Sequence, residues 1–157
     1  MYYRFYNNSL GLLPTYEILM SWYDVNIDVP LLFRKSKKIT KPIVIPEITL
    51  GTNGFTISFF IQLRSKKSTL YSFGDDVYGK IEDDVFIVNE TKVNRRITNN
   101  TNYFIVIQTL PSGRTDVYVD TKRVTQIVGK SYPQNFKRTS NIIGSGITDF
   151  CLYQEVF

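Results

Sequence analysis

Gly54-Phe-Thr-Ile-Ser-Phe-Phe-Ile-Gln-Leu-Arg64 is the stretch that decides the fold. Phe55, Ile57, Phe59, Ile61 and Leu63 alternate with Thr56, Ser58, Gln62 and Arg64, and only Phe60 breaks the pattern. Side chains of an extended chain point to opposite faces with a period of two, so this stretch predicts a long strand with one buried face. The preceding Thr52-Asn53-Gly54 is a turn signal.

The same rhythm extends in both directions. Asn102–Leu110 is apolar on both faces, as a central strand would be. Pro111-Ser112-Gly113 then turns the chain into Asp116–Asp120, which predicts a hairpin. A second hairpin joins Asp116–Asp120 to Arg123–Val128. Shorter candidates are Tyr2–Tyr6, Pro42–Ile45, Thr69–Phe73, Val85–Val88, Lys92–Ile97 and Ser140–Ile143, with Ile147–Tyr153 last. Gly74-Asp75-Asp76, Asn99-Asn100 and Gly144-Ser145-Gly146 punctuate them. No segment keeps a helical period for three turns, and there is no repeat or low-complexity tract. The expectation is an all-β protein, an antiparallel sandwich of two sheets. Composition agrees: 11 Tyr and 11 Phe against 1 Trp favour pleated, half-buried surfaces.

Three stretches together resemble the concanavalin A-like lectin/glucanase superfamily, in particular its laminin G-like and pentraxin-like jelly rolls. Ile48–Gln62 resembles the strand that follows a Gly/Asn turn with a Phe-Thr-Ile-Ser-Phe run. Tyr103–Ile107 with Val117-Tyr-Val-Asp-Thr-Lys122 resembles the hairpin that ends in a Tyr-Val-Asp-Gly-Lys turn. Ile142–Tyr153 resembles the closing strand. Two positions depart from the pattern: Asn102 stands where the family often has Trp, and Thr121 where it has Gly, so that turn must take a less permissive geometry. The resemblance implies a single domain over 1–157, with 1–37 an N-terminal strand and loop region and 38–157 the matching part.

The composition also restricts the chemistry. With no histidine, Ser-His-Asp and Cys-His nucleophilic machinery is excluded, as is any zinc site that needs imidazole. Cys151 is the single cysteine, which removes disulfides and thiolate-rich metal sites and reads as a buried packing group. Glucanases of the resembled superfamily place their acid and nucleophile in a Glu-x-Asp-x-(x)-Glu strand, and this chain has no such motif. Its nearest acidic cluster, Glu82-Asp83-Asp84, reads as a turn between Ile81 and Val85. The expectation is a protein that is not an enzyme.

Binding candidates are more numerous. Asp75 and Asp76 beside Gly74 are two hard-oxygen groups of the kind that calcium takes, although Gly-Asp-Asp is equally an ordinary turn. Arg34, Lys35, Lys37, Lys38 and Lys41 put five cations into eight residues, within a chain of net charge +5. Such a cluster suits phosphate, sulfate or an acidic protein face, or protects an edge strand. No recognition helix or RNA-binding signature accompanies the charge, which argues against nucleic acid. Tyr16, Trp22 and Tyr23 lie among asparagines, a combination that suits stacking on sugars or a protein interface.

The expected function is therefore lectin-like recognition of a glycan or protein surface. The alternative is a jelly-roll subunit of a virion or other particle, since an Asn-, Ile-, Lys- and Tyr-rich chain is what an AT-rich genome encodes. Met1-Tyr-Tyr-Arg-Phe-Tyr6 lacks the apolar core of a secretion signal. No run approaches the roughly 20 apolar residues of a membrane-spanning helix. The reading is a soluble chain, cytoplasmic or built into a particle.

Overall fold

The computed structural model describes residues 31–74, 76–128, 132–133 and 137–156. The Tyr2–Tyr6 strand expectation lies outside them. The described residues form fourteen strands. The first eight are β1 (Leu31–Lys35), β2 (Ile43–Val44), β3 (Ile48–Thr49), β4 (Phe55–Ile61), β5 (Lys67–Phe73), β6 (Val77–Glu82), β7 (Val85–Val88) and β8 (Thr91–Arg96). They are followed by β9 (Tyr103–Thr109), β10 (Thr115–Val119), β11 (Lys122–Ile127), β12 (Lys137–Arg138), β13 (Asn141–Ile143) and β14 (Ile147–Tyr153).

Two six-stranded antiparallel sheets carry the architecture, in the orders β1-β14-β4-β9-β10-β11 and β2-β13-β5-β6-β7-β8. A two-stranded ribbon, β12-β3, lies beside them. The sheets share one core. Phe55, Ile57, Phe59 and Ile61 of β4 meet Leu70, Tyr71 and Phe73 of β5, and Phe150 and Leu152 of β14 pack among them. This is the expected antiparallel β-sandwich.

The strand expectations at Val85–Val88 and Ile147–Tyr153 hold to the residue, and most others are correct to within one or two. Three strands carried no sequence expectation, β3, β6 and β12, while β1, which holds Arg34 and Lys35, is the edge strand that was one reading of the basic cluster. β3 and β12 are two residues long, too short to show a period, and Gly79 interrupts the pattern of β6.

One expectation needs correction. The Gly54–Arg64 stretch was expected to bury one face, but β4 buries both: Thr56 and Ser58 are as inaccessible as their apolar neighbours. The same holds for β9 and β10, where Gln108 and Asp116 are buried opposite the core face. Burial of polar groups is tolerated where they find partners. Thr56 Oγ1 donates to the Glu155 carbonyl, and the Thr109 and Thr115 hydroxyls lie 3.0 Å apart. A polar alternate residue therefore does not mark a solvent face in this sheet.

The turns follow from local chemistry. β6-β7, β7-β8 and β10-β11 are joined by two-residue loops, Asp83-Asp84, Asn89-Glu90 and Asp120-Thr121. All six residues have positive φ, as a type I′ turn requires. Glu82-Asp83-Asp84 is thus a hairpin turn, as expected. Asp120 is anchored from both sides: its carboxylate accepts from the Phe104 N–H and its own N–H donates to the Phe104 carbonyl. Thr121, at φ 72°, holds a β-branched side chain in the left-handed region. That conformation costs about 1–2 kcal/mol, and glycine in its place sacrifices about 0.5–1 kcal/mol of unfolded-state entropy. Thr121→Gly is therefore expected to stabilise the protein by about 0.5–1 kcal/mol. A urea-unfolding midpoint that does not rise would show that the turn carries no strain.

Candidate functional site

A cleft of about 220 Å³ opens at one end of the sandwich, and four chain segments converge on it. These are the β1–β2 loop, the β4–β5 loop, the start of β5 and the turn that precedes β14. The pairing of β4 with β14 explains the convergence. Ile61 lies opposite Ile147, so the residues leaving β4 emerge beside those entering β14.

Backbone hydrogen bonds fasten the base of the cleft. The Ile39 N–H donates to the Ile147 carbonyl (2.8 Å), and the Gly146 N–H donates back to Ile39 (2.8 Å). Gln62 N–H donates to the Gly146 carbonyl (3.0 Å). Gly146 has φ +82° and its missing Cβ would sit 2.9 Å from the Gln62 carbonyl, so both conformation and space call for glycine. Ile39 and Leu63 are buried beneath as an apolar floor.

Polar groups line the walls: Lys38, Thr40, Gln62, Arg64, Ser65, Ser68 and Ser145. Ser65 is occupied locally, accepting from the Lys67 N–H (3.2 Å) and donating to the Lys67 carbonyl (3.0 Å). Among the described residues, no hydrogen bond engages the Ser68 or Ser145 hydroxyl, and no carboxylate lies within ion-pair distance of Lys38 or Arg64. Among the described residues, the lining contains neither an aromatic ring nor an acidic residue.

The basic cluster does not stay together. Arg34 leaves it: its Nε donates to Asp149 Oδ1 at 2.9 Å, in a largely buried ion pair. A bulge in β14 between Thr148 and Cys151, with Asp149 at φ 53°, accompanies that contact. Lys35, Lys37 and Lys41 are exposed, and Lys38 alone of the five lines the cleft. Arg95 and Arg96 lie on β8, at the far edge of the second sheet, and do not extend the patch. Tyr16, Trp22 and Tyr23 lie outside the described residues, as does Asp75.

Asp76, the other calcium candidate, already has a cation. The fully buried Arg138 guanidinium grips its carboxylate through Nη1 (2.5 Å) and Nη2 (3.1 Å) and also donates to the Phe73 carbonyl. The Arg138 hydrogen bond holds the Asp76 carboxyl below the usual carboxylate range, against the opposing effect of its partial burial. A metal ion at Asp76 would have to displace the guanidinium. Among the described residues, no three carboxylates or thiols converge as a metal site.

Three further half-buried or buried carboxylates follow the same rule. Asp84 meets Arg96 at 3.5 Å and Asp116 meets Arg114 at 3.2 Å, as Asp149 meets Arg34. Each faces an arginine rather than a second carboxylate. Burial pushes the Cys151 thiol up to about 11, which keeps it protonated at neutral pH and fits the packing role read from the sequence. No helix among the described residues is long and apolar enough to cross a membrane.

Arg64, Ser68 and Ser145 were not singled out from sequence. Arg64 belonged to the polar face of a strand and Ser145 to a turn signal. The one legible cue for Arg64 and Ser145 is that they stand within three residues of the paired strands β4 and β14.

No protein-family profile and no curated sequence matches the chain. Solved structures do. The binding domain of botulinum neurotoxin DC in complex with rat synaptotagmin II is similar at 13% identity and a TM-score of 0.55, over 79% of this chain and 44% of that one. The same binding domain in complex with SialylT gives 14% and 0.54, over 79% and 44%. The receptor-binding domain of the botulinum neurotoxin C/D mosaic serotype gives 12% and 0.52, over 83% and 43%. At these identities the likeness shows the fold, a β-sandwich. The chain spans less than half the length of those structures.

Proposed function

We propose that the chain is one non-catalytic, lectin-like binding domain of the laminin G-like jelly-roll type, recognising a glycan or glycosylated surface at the cleft. The observation that carries this reading is the cleft itself. Four segments converge on it, and it offers hydroxyl, amide and cationic groups over an apolar floor, the composition of a ligand pocket with a few orienting polar groups. The similar solved structures are binding domains, one in complex with rat synaptotagmin II and one with SialylT, which lends the fold a precedent for recognition. Absence of catalysis draws on the missing histidine and on the carboxylates described above, each engaged by an arginine. Glycoside hydrolysis needs two carboxyl groups facing one another across a bond.

A glycan array probed with the full chain tests the reading, together with Ser145→Trp, which fills the cleft from a half-exposed turn position. Saturable binding to a glycan class, lost in Ser145→Trp, is the expected result. No saturable binding to any glycan, or binding indifferent to Ser145→Trp, would sink it.

An assembly role would use a different surface. Val44 and its cross-strand partner Ile142 are 78% and 40% exposed at the edge of the second sheet. Two residues make a smaller apolar patch than most interfaces need, so recognition at the cleft is the favoured reading. Sizing by mass photometry separates the two readings, because a particle subunit would assemble at high concentration.

A further inference from the structure

We propose that the cleft takes an acidic glycan, seating a carboxylate or sulfate group of the sugar between Lys38 and Arg64. The inference rests on the lectin-like reading and names the chemistry of its ligand.

The balance of donors and acceptors carries it. Neutral sugars present hydroxyls that need acceptors as well as donors, and their C–H faces stack on aromatic rings. Among the described residues this cleft is lined by no ring and no carboxylate, and Gln62 is the only side-chain amide of that lining. Lys38 and Arg64 have donors only, and the Ser68 and Ser145 hydroxyls can each donate. A site that offers mainly donors suits a ligand that mainly accepts, and an anionic group accepts from several directions at once.

The protein also leaves these two charges to the cleft. Arg34, Arg96, Arg114 and Arg138 each meet a carboxylate of their own chain. Among the described residues neither Lys38 nor Arg64 does, although their positions in separate loops would admit one. The two cations come from separate segments, the β1–β2 loop and the β4–β5 loop, and both line the one cleft, so an anion seated there can be met by both. The apolar floor of Ile39 and Leu63 keeps that contact from being fully solvated, which strengthens a charged hydrogen bond relative to open surface. A cleft of about 220 Å³ matches one sugar unit and its acidic substituent rather than a nucleic-acid backbone, which needs an extended groove.

Calorimetric titration of the full chain provides the test. The probes are sialyllactose against lactose for a carboxylate, and a sulfated heparin tetrasaccharide against its desulfated, N-acetylated counterpart for a sulfate. At least one acidic probe is expected to bind and its neutral counterpart to bind more weakly, with Lys38→Gln and Arg64→Gln each weakening it by about tenfold or more. Lys92→Gln/Arg123→Gln removes two exposed cations elsewhere and is expected to leave affinity within about twofold. The melting temperature of every variant serves as the folding control.

Equal affinity for the acidic and neutral probes would overturn the proposal, as would an equal loss in the remote double variant. Loss of glycan binding in Ser145→Trp but not in Lys38→Gln or Arg64→Gln would overturn the anion and leave the lectin-like reading standing. Failure to bind any of the four probes would overturn the acidic-glycan proposal alone, and failure to bind any glycan on the array would remove the lectin-like reading as well.

Discussion

Phe150→Ala is expected to destabilise the protein by about 3–5 kcal/mol, the range for emptying a buried aromatic site. Phe150 is fully buried on β14, where rings from both sheets meet. It stacks on Phe59 of β4 (centroids 5.7 Å apart, 14° between planes) and meets Phe73 of β5 edge-on (6.0 Å, 79°). Tyr71 of β5 and Phe33 of β1 complete the group at 6.3 and 6.4 Å. Truncation removes both the apolar burial and the cross-sheet ring contacts, and the surrounding strands cannot collapse because their hydrogen bonds fix their spacing. Phe150→Leu retains most of the volume and is expected to cost less than half as much. Denaturant unfolding of both variants checks the pair. A loss below about 1 kcal/mol in Phe150→Ala would mean that the aromatic group does not join the sheets.

The second large effect lies at a backbone contact. Gly144→Ala is expected to cost about 3 kcal/mol or more, at or above the upper end for overpacking. A Cβ on Gly144 would sit 1.8 Å from the Thr69 carbonyl oxygen, which belongs to β5 and cannot swing away as a side chain would. The Gly144 N–H donates to the Leu70 carbonyl at 2.9 Å, so relieving the clash also breaks that bond. Gly51→Ala is the control. A Cβ there meets nothing within 4 Å, and the substitution is expected to fall within about 0.5 kcal/mol of the parent. Equal midpoints for the two variants would show that β13 and β5 are not packed this closely.

These two positions also show where sequence reading reaches its limit. The Gly144-Ser145-Gly146 run reads as a turn, and it is one. Nothing in the run distinguishes Gly146, required by a positive φ, from Gly144, required by the approach of another strand. Regular alternation from Ile147 would put Phe150 on the opposite face, and the bulge between Thr148 and Cys151 is what lets both lie in the core. Polar alternation in β4 misleads for a related reason: Thr56 and Ser58 signal solvent, yet the sheet buries both its faces.

The candidate site was legible in fragments. The basic cluster was visible as a run of charge, but its members go to different places. Arg34 is drawn to Asp149, 115 residues away in the chain, and Lys38 to the cleft. Asp76 looked like a metal ligand because its partner Arg138 lies 62 residues further on, beyond any local pattern. Arg64 and Ser145 carried no signal as individuals.

The feature that opened the sequence, the alternation from Gly54 to Arg64, marks the division between what sequence and tertiary structure each decide. Alternation, turn residues and the absence of histidine are local or compositional. They determined an all-β chain, its hairpins at Asp83-Asp84 and Asp120-Thr121, and the lack of a histidine-based catalytic apparatus. Strand order and register depend on hydrogen bonds between segments remote in the chain, and these only the fold supplies. The pairing of Ile61 with Ile147 brings Arg64, Ser145 and Lys38 around one cleft, while ion pairs elsewhere take up Arg34, Arg96, Arg114 and Arg138. A charge becomes available to a ligand only when the fold provides it no carboxylate, and that is settled by three-dimensional neighbours.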